Sequence, residues 1–515
     1  MPASSPNAVR LAACECLTPF GGTADTLAAL LRGESALRAT PVLGSEGGDA
    51  VPLALLPGRA LDETAPPAWL AALRGFLAPV CGPGWGSARR PVCVTSSNFG
   101  VGSLYAYRRA LAAAGATGAL TAGNALAGAT ATGTLASSAA TGTLAGGSAL
   151  VGATATATNA FAAGRIRATD SLLAAATTAA LTGANATAAL AADSALASSA
   201  ATAAASGVPA AASIAALAAP AATSAVATAA SAAATSASAT ASSAAAAAAR
   251  AHTPHGSTHG SVALVRGACG WGENVTVFSH ACVSAHLGLL HAARLVGSGA
   301  ADAALVVSYD FLSPFVTGGF HALKILNAGF PAPYRERATG SIGLGDGAAF
   351  AVVARDRGDF ALGAHALHNE MFHATANRPD GAGFAAVFAP VARAAAGRGL
   401  RNLWVKGHGT GTLEAGRLET AAAAAAFPGA RLTGWKGGLG HTLGSCGLVE
   451  LAVAAAALRG GRAPGVLAAD TAGGAAPALA AHVALEPIDT GAGDGVVCAS
   501  NAFGGAHAAL LLHHV

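Results

Sequence analysis

The sequence has few charged residues for its length. Asp, Glu, Lys and Arg make up 10% of its 515 residues, against about 25% in typical soluble proteins. The formal net charge is +4, and the 29 lysines and arginines form no cluster. A basic patch is the electrostatic mark of nucleic-acid binding. The composition therefore predicts no nucleic-acid partner.

Long runs of strongly apolar residues are also missing. Hydrophobic residues reach 53%, but stretches approaching the roughly 20 residues of a membrane span are dominated by alanine. The first residues, MPASSPNAVRLAACECLTPFGG, lack the basic segment and apolar run of a secretory signal. We therefore expect a cytoplasmic protein without a membrane span.

The eight cysteines show no metal-ligand spacing. The sequence contains neither a CxxC pair nor a Cys/His pattern typical of zinc sites, so we expect no metal. A free cysteine is commonly a small buried hydrophobe. A catalytic role for any one of them therefore needs partner residues elsewhere in the chain.

Composition divides the chain into three zones. Residues 1–112 and 251–515 have mixed side chains, whereas residues 113–250 are almost wholly Ala, Thr, Ser and Gly. Such a segment has little large apolar surface to bury, so it cannot easily offset the entropy lost on ordering. We interpret 113–250 as a low-complexity insertion, loosely helical or disordered, without chemistry of its own.

Cys282 lies in the stretch SHACVSAHLG, between a predicted strand at 274–278 and a predicted helix. The helical stripe consists of Ala285, Leu289, Ala292 and Val296. Glycines 297 and 299 end it, and a second strand follows at 303–310. This βαβ pattern predicts a parallel sheet covered by helices. It also places Cys282 at a helix N-terminus, where the pKa of a thiol is lowered.

Two histidines follow predicted strands in a similar way. The glycines of VKGHGTGT present His408, and those of WKGGLGH present His441. Neither turn has the Lys-Ser/Thr of a phosphate-binding loop, and functional residues often lie on loops at strand ends. The helix after His441 carries an apolar face of Leu448, Leu451, Ala455 and Leu458. Near the end of the chain, 496–512 reads as two strands joined around Phe503-Gly504-Gly505.

Four motifs in this order resemble the β-ketoacyl synthases of the thiolase superfamily: Cys282, HGTGT at 408–412, KGGLGH at 436–441 and FGG at 503–505. The resemblance covers most of the chain outside 113–250. It implies an α/β, thiolase-like duplicated αβαβα layered fold with a long Ala/Ser/Thr/Gly-rich insertion. Residues 1–112 with 251–356 would form the half carrying the nucleophile. Residues 357–515 would form the half carrying the histidine motifs.

The resemblance implies a decarboxylative Claisen condensation by an acyltransferase of the 3-oxoacyl-[acyl carrier protein] synthase type. Cys282 would hold the acyl group, while His408 and His441 would stabilise the carbanion formed from malonyl-acyl carrier protein. Phe503 would share an oxyanion hole with Cys282 and act as a gate, with Gly504 beside it at the substrate. Substrates would arrive on the phosphopantetheine arm of acyl carrier protein, so no separate cofactor is expected. A homodimer, or a heterodimer with a related subunit, is implied.

Four further residues match supporting positions of the family. Lys436 and Glu419 are predicted to form a buried pair that orients the histidines. Thr410 and Thr412 match threonines that bind the pantetheine arm, with turn stabilisation by their hydroxyls as the alternative. The sequence departs from the family pattern at four places: Gly416 for an aspartate, His280 for a threonine, Ala285 for a glycine and Asn501 for a phenylalanine.

Two functions follow from these motifs. One is an active synthase in fatty-acid or polyketide/aryl-polyene-type biosynthesis. The other is a weakly active or non-catalytic partner resembling a chain-length factor. Such partners typically lack the cysteine, so the retained Cys282 favours the enzyme. A priming synthase would have asparagine in place of the second histidine, and a thiolase needs a second catalytic cysteine. Cys446 is interpreted as a core residue.

Overall fold

The computed structural model describes residues 8–42, 49–61, 68–97, 258–336, 341–355, 357–467, 476–490 and 493–515. The predicted insertion at 113–250 lies outside the described residues. The elements of the N-terminal part are β1 (Val9–Leu17), α1 (Thr23–Leu31), β2 (Arg38–Pro41), β3 (Ala50–Ala54), α2 (Ala68–Leu77), β4 (Val92–Thr95), α3 (Thr258–Cys269), β5 (Val275–Phe278), α4 (Ser284–Ser298), β6 (Ala303–Asp310), α5 (Pro314–Ala322), β7 (Leu344–Gly345) and β8 (Gly347–Arg355).

The C-terminal part continues the alternation of strands and helices. Its elements are β9 (Phe360–Asn369), α6 (Ala382–Gly397), β10 (Leu403–Lys406), α7 (Leu413–Ala426), β11 (Arg431–Thr433), α8 (Lys436–Leu439), α9 (Cys446–Gly460), β12 (Arg462–Ala463), β13 (Ile488–Asp489), β14 (Gly495–Ala502) and β15 (Ala506–His514). A short 3-10 turn, Leu443–Ser445, precedes α9.

A ten-stranded sheet runs in the order β11-β10-β14-β15-β9-β1-β8-β6-β4-β5. Five adjacent strands come from each part of the chain, and the two sets meet where Leu11 of β1 pairs antiparallel with Phe360 of β9. The domain boundary predicted at 356/357 falls between β8 and β9. In the N-terminal set, β4 lies between β5 and β6 and is parallel to both, as the βαβ pattern predicts.

Two helices lie between the two sets of strands. Helix α4 packs on β4 and β6, helix α9 packs on β1 and β14, and the two helices also touch each other. On the outer faces, α2 and α3 cover the N-terminal strands through Leu73 and Val265. Helices α6 and α7 cover the C-terminal strands through Phe388 and Ala423. The predicted αβαβα layering is confirmed.

The local pattern around α4 agrees with the sequence. The predicted stripe of Ala285, Leu289, Ala292 and Val296 is fully buried. Gly299 caps the helix with a φ of 80°, a left-handed conformation that glycine adopts without steric cost. The strand predicted at 303–310 is β6. Ala285, where the family has glycine, therefore belongs to the core.

The central helix α9 is largely apolar, and yet it carries a buried glutamate. The stretch Leu443–Gly460 is long and apolar enough to cross a membrane by length and composition, but 83% of it is buried inside the fold. Its buried residues lie on every side of the helix and include Glu450. These features are typical of a core helix that is covered by neighbouring elements.

Gly288 lets α4 approach the sheet closely. A Cβ at this position would lie 2.5 Å from Cγ2 of Thr95 in β4 and 3.2 Å from Cγ1 of Val306 in β6. We expect Gly288→Ala to lower the free energy of unfolding by about 1–3 kcal/mol, because stiff β-branched side chains in strands must move. Denaturant unfolding monitored by circular dichroism measures this.

Gly267 in α3 provides the matched control, because a Cβ there meets nothing within 4 Å. Gly267→Ala should leave stability unchanged or raise it by up to about 1 kcal/mol, since alanine is the better helix former. A Gly288→Ala protein at least as stable as the parent would contradict the close packing of α4 on β4.

Candidate active site

Cys282 lies at the corner between β5 and α4, as predicted from the sequence. The preceding residue, Ala281, has a φ of 45°, which costs a non-glycine residue of the order of 1 kcal/mol or more. Ser284 holds this conformation: its hydroxyl accepts a hydrogen bond from the His280 N–H (2.7 Å) and donates to the Ala281 carbonyl (2.7 Å). The corner thereby fixes the Cys282 side chain at the N-terminal end of α4.

His441 contacts the cysteine directly. Its Nε2 lies 3.0 Å from the Sγ of Cys282. Its Nδ1 accepts a hydrogen bond from the Leu443 N–H at 3.0 Å, so in the neutral ring the proton is on Nε2. His441 therefore presents an N–H donor to the sulfur atom, and Leu443 determines which tautomer is present.

His408 completes the centre. Its ring lies edge-on to that of His441, with 5.0 Å between the ring centroids. Its buried Nδ1 has no hydrogen-bond partner among the described residues. Burial, reinforced by the positive charge of Lys436, lowers the pKa of both His408 and His441 well below the ordinary value. Both rings are therefore neutral near pH 7.

The sequence predicts a lowered thiol pKa for Cys282 from its place at a helix N-terminus, but burial outweighs that effect and the surroundings work against ionisation. Burial is the main cause that raises the pKa of its thiol, the neighbouring Cys446 adds to it, and Lys436 opposes it. Cys446 is buried at the first position of α9, in agreement with its interpretation as core, and its Sγ lies 3.4 Å from the Cys282 carbonyl oxygen. Stabilisation of a thiolate therefore depends on the His441 N–H, on Lys436 and on the N-terminus of α4.

The donor atoms of Cys282, His408 and His441 all lie within 4.8 Å of one another, which makes the cluster a candidate metal site. A histidine ligand must offer an unprotonated ring nitrogen to the metal. At His441 the Leu443 N–H occupies Nδ1 and leaves the proton on Nε2. The cluster therefore suits a substrate oxygen that accepts hydrogen bonds better than it suits a metal ion.

The predicted ion pair between Lys436 and Glu419 is wrong. Lys436 instead lies 2.7 Å from Oε1 of Glu450 and donates to the His408 carbonyl at 2.7 Å. Glu419 accepts the N–H of His408 (2.6 Å) and that of Gly409 (3.1 Å). Both side chains still support the His408 loop, because Lys436 binds its carbonyl and Glu419 binds its amides.

Tyr334 is a supporting residue that the sequence did not indicate. Its hydroxyl donates a hydrogen bond to Oε2 of Glu419 at 2.6 Å. A Cβ at Gly416, the position where the family has aspartate, would lie 3.2 Å from Leu479 and 3.8 Å from Tyr334. The space beside Gly416 is therefore filled by apolar packing, and Glu419 is supported by a tyrosine from another segment of the chain.

The remaining predicted residues lie on two loops. Phe503 is in the turn between β14 and β15 and stacks on Phe320 with 5.7 Å between the ring centroids. The residue before it, Ala502, packs in the same apolar cluster as Cys282. Gly504 has a φ of 83° and donates its N–H to the Ala374 carbonyl. Thr410 and Thr412 lie after His408 with their hydroxyl oxygens 3.3 Å apart. Their predicted contact with a pantetheine arm stays a prediction.

The chain is similar to known proteins in sequence and in fold. Residues 361–470 match the family model described as the C-terminal domain of β-ketoacyl synthases. A search of the curated proteins found no match. The predicted resemblance to the β-ketoacyl synthases is confirmed by this domain, which contains His408, Lys436 and His441.

Solved structures of ketosynthases share the fold. The ketosynthase ApeO in complex with its chain length factor ApeC, from Xenorhabdus doucetiae, aligns with a TM-score of 0.58 at 16% identity, covering 99% of this chain and 100% of that chain. A β-ketoacyl synthase from Burkholderia phymatum gives 0.57 at 16% identity with the same coverage. The AntDE:AntF complex, a type II polyketide synthase acyl-carrier protein with its ketosynthase, gives 0.61 at 11% identity, again with the same coverage.

Glu419→Gln tests the support of the His408 loop. An amide offers one acceptor oxygen where the carboxylate offers two, so one buried N–H or the Tyr334 hydroxyl loses its partner. We expect a loss of about 1–3 kcal/mol in stability and a slower reaction at Cys282, measured by thermal unfolding and by alkylation with iodoacetamide.

Glu414→Gln is the control for this substitution, because Glu414 is exposed in the first turn of the same helix, α7. It should change neither quantity measurably. If Glu419→Gln behaved like Glu414→Gln, the carboxylate of Glu419 would have no part in holding the loop.

Proposed function

We propose that this chain is a β-ketoacyl synthase that condenses an acyl group carried on Cys282 with malonyl-acyl carrier protein. The observation that carries this proposal is the contact of 3.0 Å between the Cys282 Sγ and the His441 Nε2, with the ring of His408 beside them. A nucleophile and two neutral N–H donors are the groups that this reaction needs.

The first step is acyl transfer. The Cys282 Sγ attacks the carbonyl carbon of an acyl thioester on the phosphopantetheine arm. The new bond joins sulfur to that carbon, the bond to the pantetheine sulfur breaks, and the thiol proton passes to the departing sulfur. The N–H groups of Cys282 and Phe503 would hold the oxyanion, as the family resemblance implies.

The second step generates the carbon nucleophile. The malonyl thioester loses CO₂, and the electron pair of the broken C–C bond passes into an enolate whose oxygen accepts hydrogen bonds from His408 and His441. Hydrogen bonds that strengthen as this charge develops lower the barrier. The enolate carbon then attacks the Cys282 thioester. The Cys282 thiolate departs, and the product is a 3-oxoacyl thioester on the carrier protein.

The partners follow from this chemistry. Acyl carrier protein would supply both thioesters, so no separate cofactor is needed. The ApeO and AntF structures contain a chain length factor and a carrier-protein complex respectively, which supports a carrier-protein partner and either a homodimer or a heterodimer with a related subunit. All eight cysteines are free thiols, in keeping with the reducing cytoplasm. The product would enter fatty-acid or polyketide/aryl-polyene-type biosynthesis.

The alternative function is that of a partner subunit resembling a chain-length factor. Such a subunit would not need a cysteine that contacts a histidine. The loop of His408 is held by Lys436 and Glu419 from two sides, and the tautomer of His441 is determined by Leu443. These contacts support the enzyme over the partner.

Acyl loading is the direct test. The protein is incubated with acyl carrier proteins that bear chains of different length, and intact-mass spectrometry measures acyl transfer to the chain. We expect one acyl increment, which is absent in Cys282→Ala. Addition of malonyl-acyl carrier protein should then yield the 3-oxoacyl product.

Cys81→Ala is the matched control, because Cys81 packs against the outer cluster around α2 and α3 and should load normally. Absence of acylation across all chain lengths, with and without candidate partner subunits, would overturn the enzyme function. Loading that persists in Cys282→Ala would assign the nucleophile to another residue.

A further inference from the structure

Lys406 is a buried lysine close in sequence to His408 of the candidate active site. It is the last residue of β10, two residues before His408, and its side chain is 1% exposed. Its ammonium group contacts Oε2 of Glu450 and donates to the Ala499 carbonyl of β14 at 3.1 Å. Burying an ammonium group is costly unless it is paired, so this position is held by specific contacts.

The carboxylate of Glu450 is shared by two lysines. Lys406 binds one of its oxygens and Lys436 binds the other. All three side chains are almost fully buried. Two positive charges and one negative charge leave this cluster with one excess positive charge. Glu419, another buried carboxylate, binds the backbone amides of His408 and Gly409 and the hydroxyl of Tyr334.

The excess charge acts on the two catalytic rings. Besides burial, the causes that lower the pKa of His408 and His441 include both Lys436 and Lys406. The titratable groups that interact with Lys406 come from five surrounding segments: Glu450 and Cys446 of α9, Cys498 of β14, His286 of α4, and the two loops that carry His408 and His441.

We propose that Lys406 is a positioning residue: it fixes the carboxylate of Glu450 for Lys436, which holds the His408 carbonyl. Its positive charge adds to the burial that keeps His408 and His441 neutral. A protonated pair of rings would repel each other and would pair with the Cys282 thiolate. Lys406 touches neither the substrate nor the reacting atoms in this scheme. This role of Lys406 depends on the proposed function only where it is tested by the rate of condensation.

Lys406→Met tests the charge, and the double variant Lys406→Met/Glu450→Gln separates charge from structure. The single variant leaves one lysine and one glutamate, so the net charge of the cluster falls to zero. The double variant leaves Lys436 alone and restores the single positive charge without the ion pair. Lys324→Met, at an exposed lysine, is the control for loss of a lysine charge.

The readout is the protonation of the two rings. NMR of protein labelled with ¹³C-histidine follows the imidazole signals from about pH 8 down to the lowest pH at which the protein stays folded, and His408→Ala and His441→Ala assign them. In Lys406→Met the titration midpoints of both rings should rise by about 1 pH unit, the effect of one nearby unit charge in a partly screened interior. The double variant should return them to the parent values, and Lys324→Met should not move them.

Condensation provides the second readout. The acid limb of the rate should move to higher pH in Lys406→Met and return in the double variant. Unchanged ring midpoints in a folded Lys406→Met protein would overturn the proposal, as would a double variant that behaves like the single one. If Lys406→Met showed the ring shifts but the parent protein showed no condensation, the proposed function would fail while the role of Lys406 in setting the charge would stand.

Discussion

The carboxylate of Glu450 is the group on which the arrangement of the site depends. Glu450 is a residue of the central helix α9, and its carboxylate binds Lys406 at the end of β10 and Lys436 at the start of α8. Buried charges are stable only when they are paired, and removal of one partner costs about 3–5 kcal/mol. Because Lys436 also binds the His408 carbonyl, this ion cluster joins the central helix to the loop that carries the His408 ring.

The layered fold brings the side chains of Cys282, His408 and His441 together. Helices α4 and α9 are both packed between the two sets of strands, and their N-terminal ends meet where Cys446 contacts the Cys282 carbonyl. Small residues permit this close approach: a Cβ at Gly447 would lie 2.8 Å from the ring of His286. Cys282 therefore sits where two helix N-termini converge, and His408 and His441 come from loops next to them.

The sequence predicted the elements better than the contacts. The apolar stripe of α4, the glycine at its end and the strand after it have local signals, and all were recovered. The partner of Lys436 was assigned wrongly because spacing along the chain does not reveal which carboxylate faces a lysine across the core. Glu450 had a signal of its own, since it is the one acidic residue in α9 and lies within a run of apolar residues. Tyr334 had none, because it reaches Glu419 from a distant segment.

The orientation of the rings determines what chemistry the centre can perform. A histidine that acts as a general base must offer a free lone pair, but Nδ1 of His441 already accepts the Leu443 N–H. The proton on Nε2 points at the sulfur, and the burial of the ring together with the lysines keeps the ring from gaining a second proton. The centre is therefore built to donate hydrogen bonds to an anion. Among the steps of a condensation, both the thiolate and the enolate are anions of this kind, so a single fixed tautomer serves both.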